Sequence, residues 1–124
     1  MKSSNVKTLL LLVLLFAASG LVIWFGYKAI LNERHKGTAR SDVAAIDRAA
    51  TAYHSKHSEW PSQLDVLIAG SENDNPFCGP DPLTDPWGRR YQYDPKQVHP
   101  SSGKPLIWTE GLEPGKSAKI SNWD

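Results

Sequence analysis

Hydrophobic and polar positions divide the chain into two unequal parts. From Thr8 to Tyr27 there is no charged side chain, and Leu, Val, Ile, Phe, Ala and Trp dominate. A helix over this run, rising about 1.5 Å per residue, spans roughly 30 Å, the thickness of a bilayer's hydrocarbon core. Burial inside a soluble domain would require a shell that the remaining residues are too few to build. A cleaved secretory signal is the stronger rival. Lys2 and Lys7 make a basic start, and Ala17-Ala18-Ser19 has the small side chains of a cleavage site. Leu21-Val22-Ile23-Trp24-Phe25 carries the apolar run past that point, so cleavage there would leave a greasy terminus. The expectation is an uncleaved, single-pass anchor over residues 1–33 and one globular domain over residues 34–124.

Behind the anchor the pattern changes period. Val43, Ile46, Ala50, Tyr53 and His57 recur at spacings of three and four, which puts them on one face of a helix from Thr38 to about Lys56. Asp42, Asp47 and Arg48 lie off that stripe. No proline separates this helix from the anchor, and Gly37 is the one interior breaker, so the two are expected to form a single long helix. Ser58-Glu59-Trp60-Pro61 ends it, because the residue before proline is biased away from αR. Ser62 is the expected cap of a short helix from Gln63 to Ala69 that buries Leu64, Leu67 and Ile68, with Gly70 as its stop. Residues 71–86 read as a loop rich in Pro, Gly, Asn and acidic side chains.

Asp85-Pro86-Trp87-Gly88 has the residue preferences of a type I β-turn. Tyr91 and Tyr93 then alternate with Arg90 and Gln92, a period of two that predicts a strand, stopped by Asp94-Pro95. Pro105 to Thr109 predicts a second, antiparallel strand. In the tail, Ile120 and Trp123 are apolar groups that would pin the segment to the domain. The fold class that results is α+β: one long N-terminal helix packed on a small antiparallel sheet.

Composition narrows the function classes. The chain has 124 residues and a formal charge of +1. Beyond Lys28 it carries more acidic than basic side chains, so it has no nucleic-acid footprint. Cys78 is the single cysteine, which excludes an internal disulfide. A soluble part of roughly 90 residues buries a small core, and Trp60, Trp87, Trp108 and Trp123 are expected to supply much of it. His54 and His57 stand near a helix end and read as solvated rather than as metal ligands, since structural zinc sites usually need four. Neither Asp81 and Asp85 nor Glu110 and Glu113 make a catalytic carboxylate pair beyond what turns ordinarily hold. No nucleophile motif or phosphate loop occurs, so the expectation is no catalytic residue.

At this point a family resemblance enters. Tyr53, Trp60-Pro61, Leu64 and Leu67 resemble the end of the spine helix and the following "YP" segment of G-type pseudopilins of type II secretion systems. Asp85-Pro86-Trp87-Gly88-Arg89-Arg90-Tyr91-Gln92-Tyr93 is similar to that family's D-P-W-G-x-x-Y-x-Y. Trp108-Thr109-Glu110-Gly111 and Ile120-Ser121-Asn122-Trp123 resemble its last strand and its terminal D-I-x-N-W. The likeness covers roughly residues 38–124. It implies a pilin-like fold and a structural subunit of a short periplasmic fibre serving protein export. It also implies an inner-membrane anchor with the C-terminal domain in the periplasm. The implied partners are identical subunits, other pseudopilins, the inner-membrane secretion platform and the lipid bilayer. Loop charge does not decide orientation, because basic residues flank the apolar run on both sides; the resemblance alone places the domain outside.

Two regions depart from the family pattern. The family has a glycine, a phenylalanine and soon after a glutamate ahead of its apolar run. Here residues 1–32 hold no acidic side chain, and Gly20 is followed by Leu21, with Phe25 where the carboxylate would stand. This favours the alternative of a membrane-tethered interaction domain that does not polymerise, unless an upstream start supplies the leader. The family's C-terminal loop also binds calcium through two aspartates and carbonyl oxygens. The matching positions here are Glu113 and Lys119, so the expectation is no cofactor, with a Glu113–Lys119 contact in the ion's place.

Overall fold

The computed structural model describes residues 2–70, 75–79, 83–111 and 119–124. The chain divides into two compact units, Met1–Arg34 and His35–Asp124. Helix α1, Lys2–His57, runs without interruption through the first and into the second. It is a single helix, as the lack of any proline between anchor and amphipathic stretch leads one to expect, and Gly37 does not break it.

In the first unit the apolar side chains have no protein cover. None of the most hydrophobic window is buried, and Phe16 is 84% exposed. The few hydroxyls turn inward on their own helix: Thr8 Oγ1 donates to the Ser4 carbonyl at 2.9 Å and Ser19 Oγ to the Phe16 carbonyl at 2.8 Å. Such back-bonding hides polar groups that lipid could not solvate. Lys28 Nζ sits 4.0 Å from the centre of the Trp24 ring, a tryptophan–lysine pair of the kind that favours a membrane–water boundary. This helix is long and apolar enough to cross a membrane and fits a single-pass anchor.

In the second unit α1 contributes Ala39, Val43, Ile46, Ala49 and Ala50 to the core. Val43 and Ile46 are among the largest fully buried side chains there. Ser58 takes a left-handed conformation (φ 60°) and its amide donates to the His54 carbonyl at 2.8 Å, which closes the last turn. Helix α2, Asp65–Ala69, buries Leu67. Ser62 does not cap it: α2 begins after Leu64, without a side-chain cap. Strands β1 (Gln92–Val98), β2 (Pro105–Thr109) and β3 (Ile120–Ser121) form an antiparallel sheet of order β1-β2-β3. Leu64, Leu67, Leu83, Tyr91, Ile107 and Ile120 join the helix residues in one cluster.

Asp94-Pro95 does not stop β1. The strand passes through it with a register shift between Asp94 and Val98. Asp94 Oδ1 accepts from the Lys96 and Gln97 amides at 2.9 and 3.3 Å, so the side chain satisfies donors that a regular ladder would have used, and the strand bulges instead of ending. The four tryptophans expected in the core are all half-buried. Trp60 and Trp87 pack on its rim, and none lies in the buried cluster.

Candidate functional site

Asp85 opens the turn that the motif predicts. Its backbone carbonyl accepts from the Gly88 amide at 2.9 Å. Its Oδ1 accepts from the Trp87 and Arg89 amides at 3.1 and 2.8 Å. Its Oδ2 accepts from Thr109 Oγ1 at 2.5 Å, which ties the turn to the end of β2. Asp85 is 3% exposed, and both its side-chain oxygens accept hydrogen bonds, as a buried polar group requires. Gly88 has φ 82°, a conformation that glycine reaches without steric cost. Pro86 is half-buried. Trp87 meets the His35 ring edge-on, with centroids 5.8 Å apart.

Three further clasps hold the domain together, two of them onto α1. The Tyr91 hydroxyl donates to Asp42 Oδ2 at 3.0 Å. Burial first, then the Asp42 bond, holds that phenol well above the usual tyrosine range. The Tyr93 hydroxyl donates to the Pro61 carbonyl at 2.7 Å. Burial and, secondarily, the Asp94 carboxylate push it up to about 12. Trp60 stacks on His54 with centroids 4.2 Å apart and planes 24° from parallel. His54 and His57 therefore serve as packing surfaces, His57 lying 4.3 Å from the Tyr53 ring centre.

The third clasp is made by Asn122. Its Oδ1 accepts from the buried Ile107 amide at 2.9 Å, and its Nδ2 donates to the Pro105 carbonyl at 3.0 Å and to Asp47 Oδ1 at 2.9 Å. Lys104 Nζ lies 2.6 Å from the other Asp47 oxygen. One half-buried carboxylate on α1 thus joins β2, the hairpin and the tail. Trp123 packs edge-on against His99 at 5.3 Å. Asp42 and Asp47 look like solvated positions in the sequence, and no local pattern signals their partners. Arg90 pairs with Asp65, but both are about half exposed, and such pairs contribute little.

Among the described residues, these motif side chains act as fasteners within the domain, at α1, at the segment before α2 and at β2. Among the described residues no group of three or more His, Cys, Asp and Glu side chains could hold a metal ion. Burial raises the Cys78 thiol above its ordinary range, away from the thiolate form that reactivity needs.

The family model described as type II secretion system (T2SS), protein G, matches residues 29–123. The chain belongs to that family. The resemblance drawn from the motifs over residues 38–124 is thereby confirmed, and the match begins earlier, inside α1. No curated protein matches the chain significantly. For a protein G family member, the continuous helix and the small antiparallel sheet are the pilin-like arrangement expected.

The calcium loop of that resemblance is only partly in view, since Glu113 lies outside the described residues, as does any Glu113–Lys119 contact. Lys119, which the resemblance aligns with a calcium-binding aspartate, brings an ammonium where a hard cation would need an oxygen ligand; its Nζ lies 4.3 Å from the centre of the Trp108 ring.

Proposed function

We propose that this chain is a structural subunit of a type II secretion pseudopilus. In this reading the anchor crosses the inner membrane, the domain faces the periplasm, and the partners are copies of the chain, other pseudopilins and the inner-membrane platform. The observation that carries it is the uncovered apolar half of α1, continuous with the half that carries the domain. Drawn out of lipid into water, such a surface would cost on the order of tens of kcal/mol. The segment can leave the bilayer only if equivalent helices cover it, which is what stacking in a fibre core does. The domain is then displayed outside that core, held by the Asp85, Tyr93 and Asn122 clasps.

A second reading is a tethered domain that stays monomeric in the membrane. It is favoured by the absence of any acidic side chain in residues 1–32, because a carboxylate in that region would offset a neighbour's terminal amine in low dielectric. The test is oxidative cross-linking of Leu14→Cys in a Cys78→Ser background, in cells that express the secretion platform. A ladder of multimers supports the fibre subunit. Monomer alone, with a full-length unmethylated intact mass, supports the tethered domain.

A further inference from the structure

Trp108 and Ser121 are register partners across β2 and β3. Lys119 stands two residues before Ser121, so its side chain points to the same face and reaches the Trp108 ring as a diagonal neighbour. Its Nζ lies 4.3 Å from the ring centre, within the range of a cation–π contact. The contact sits where the chain re-enters the sheet. The buried carboxylate of Asp85 accepts from two backbone amides and from Thr109, so its bonds serve the turn and the end of β2. Among the described residues, the tail beyond is held through Asn122 and the Ile107 backbone.

We propose that in this chain the Lys119–Trp108 pair fastens the C-terminal segment in place of a divalent cation, so that the domain's stability is independent of calcium. The inference concerns the domain itself and holds whether or not the chain polymerises. It is tested on the full-length chain in detergent micelles by tryptophan-monitored melting in excess chelator and in millimolar calcium. The expected result is one midpoint in both. A midpoint several degrees higher in calcium would overturn the proposal, because only a ligand that binds the native state produces that shift. Lys119→Ala should lower the midpoint by about 3–5 °C in either buffer, and Lys119→Arg should keep it, since a guanidinium stacks on indole as well. If Lys119→Ala melts with the parent in chelator, the pair is not the fastener and the proposal fails.

Discussion

Removing the Asn122 side chain should be the most damaging single truncation in the tail. In Asn122→Ala the Ile107 amide loses its acceptor at 2.9 Å, the Pro105 carbonyl its donor at 3.0 Å and Asp47 its donor at 2.9 Å. Ile107 and Pro105 are fully buried, so water does not readily replace the lost partner. An unsatisfied buried backbone group costs about 1–3 kcal/mol. Asn122 itself is only half-buried, and some solvent entry should hold the total to about 2–4 kcal/mol, a large share of the roughly 5–15 kcal/mol typical of a domain. At about 4–8 °C per kcal/mol for a domain of this size, the midpoint should fall by about 8–32 °C. Near-ultraviolet circular dichroism of the full chain in micelles reads this directly. Asn122→Asp sharpens the test: it keeps the acceptor for Ile107 but turns a carboxylate oxygen toward Asp47. Its deficit should be at least as large at neutral pH and should shrink as acid protonates one of the two carboxylates. A fall of less than about 4 °C for Asn122→Ala, or a pH-independent Asn122→Asp, would refute the clasp.

Asp85→Ala should lose about 2–4 kcal/mol in denaturant unfolding, and Asp85→Asn about half as much, since the amide keeps the acceptor for the Trp87 and Arg89 amides; equal losses would place the effect elsewhere than in the turn. Tyr93, pushed up to about 12, keeps its proton in the folded chain after the unfolded chain has lost it. Its stabilisation is therefore intact below pH of about 10 and is lost as the pH rises toward about 12. Tyr93→Phe should reduce the slope of that part of the stability profile, measured as urea midpoint against alkaline pH, with Tyr91, also held above the usual range, supplying the slope that remains. Leu14→Arg places a charge mid-anchor at a cost of about 2.5–3.5 kcal/mol of insertion, and should move the chain from the carbonate-resistant membrane fraction into the extract.

The long helix, the turn at Asp85 and the span of β2 are legible in the sequence because each is written in a short-range period or a local residue preference. What holds them together is not. Asp42 and Asp47 read as the polar face of α1, yet their partners are Tyr91 and Asn122, 49 and 75 residues away; no local pattern encodes a bond of that reach. Asn122 itself shows in the sequence only through its place in the family's closing motif, and its three side-chain bonds need the β2 backbone beside it. At Asp94-Pro95 a local rule is overridden, since the Asp94 carboxylate takes up the amides that the rule assumes unpaired. Ser62 fails as a cap because the backbone reaches helical geometry only beyond it. Tyr91 enters the core beside Ala39, Ala49 and Ala50, whereas Trp60 and Trp87 pack on its rim.

The slipped register in β1 bears on how copies of this chain can live side by side. Strand β1 lies at the margin of the described sheet, and Pro95 within it has no amide to offer while Lys96 adds a charge. A margin so interrupted gives an adjacent copy no continuous ladder to zip onto. Strand-to-strand fusion of two such domains along this margin is thereby disfavoured, and any contact there is left to side-chain surfaces, which can form and come apart.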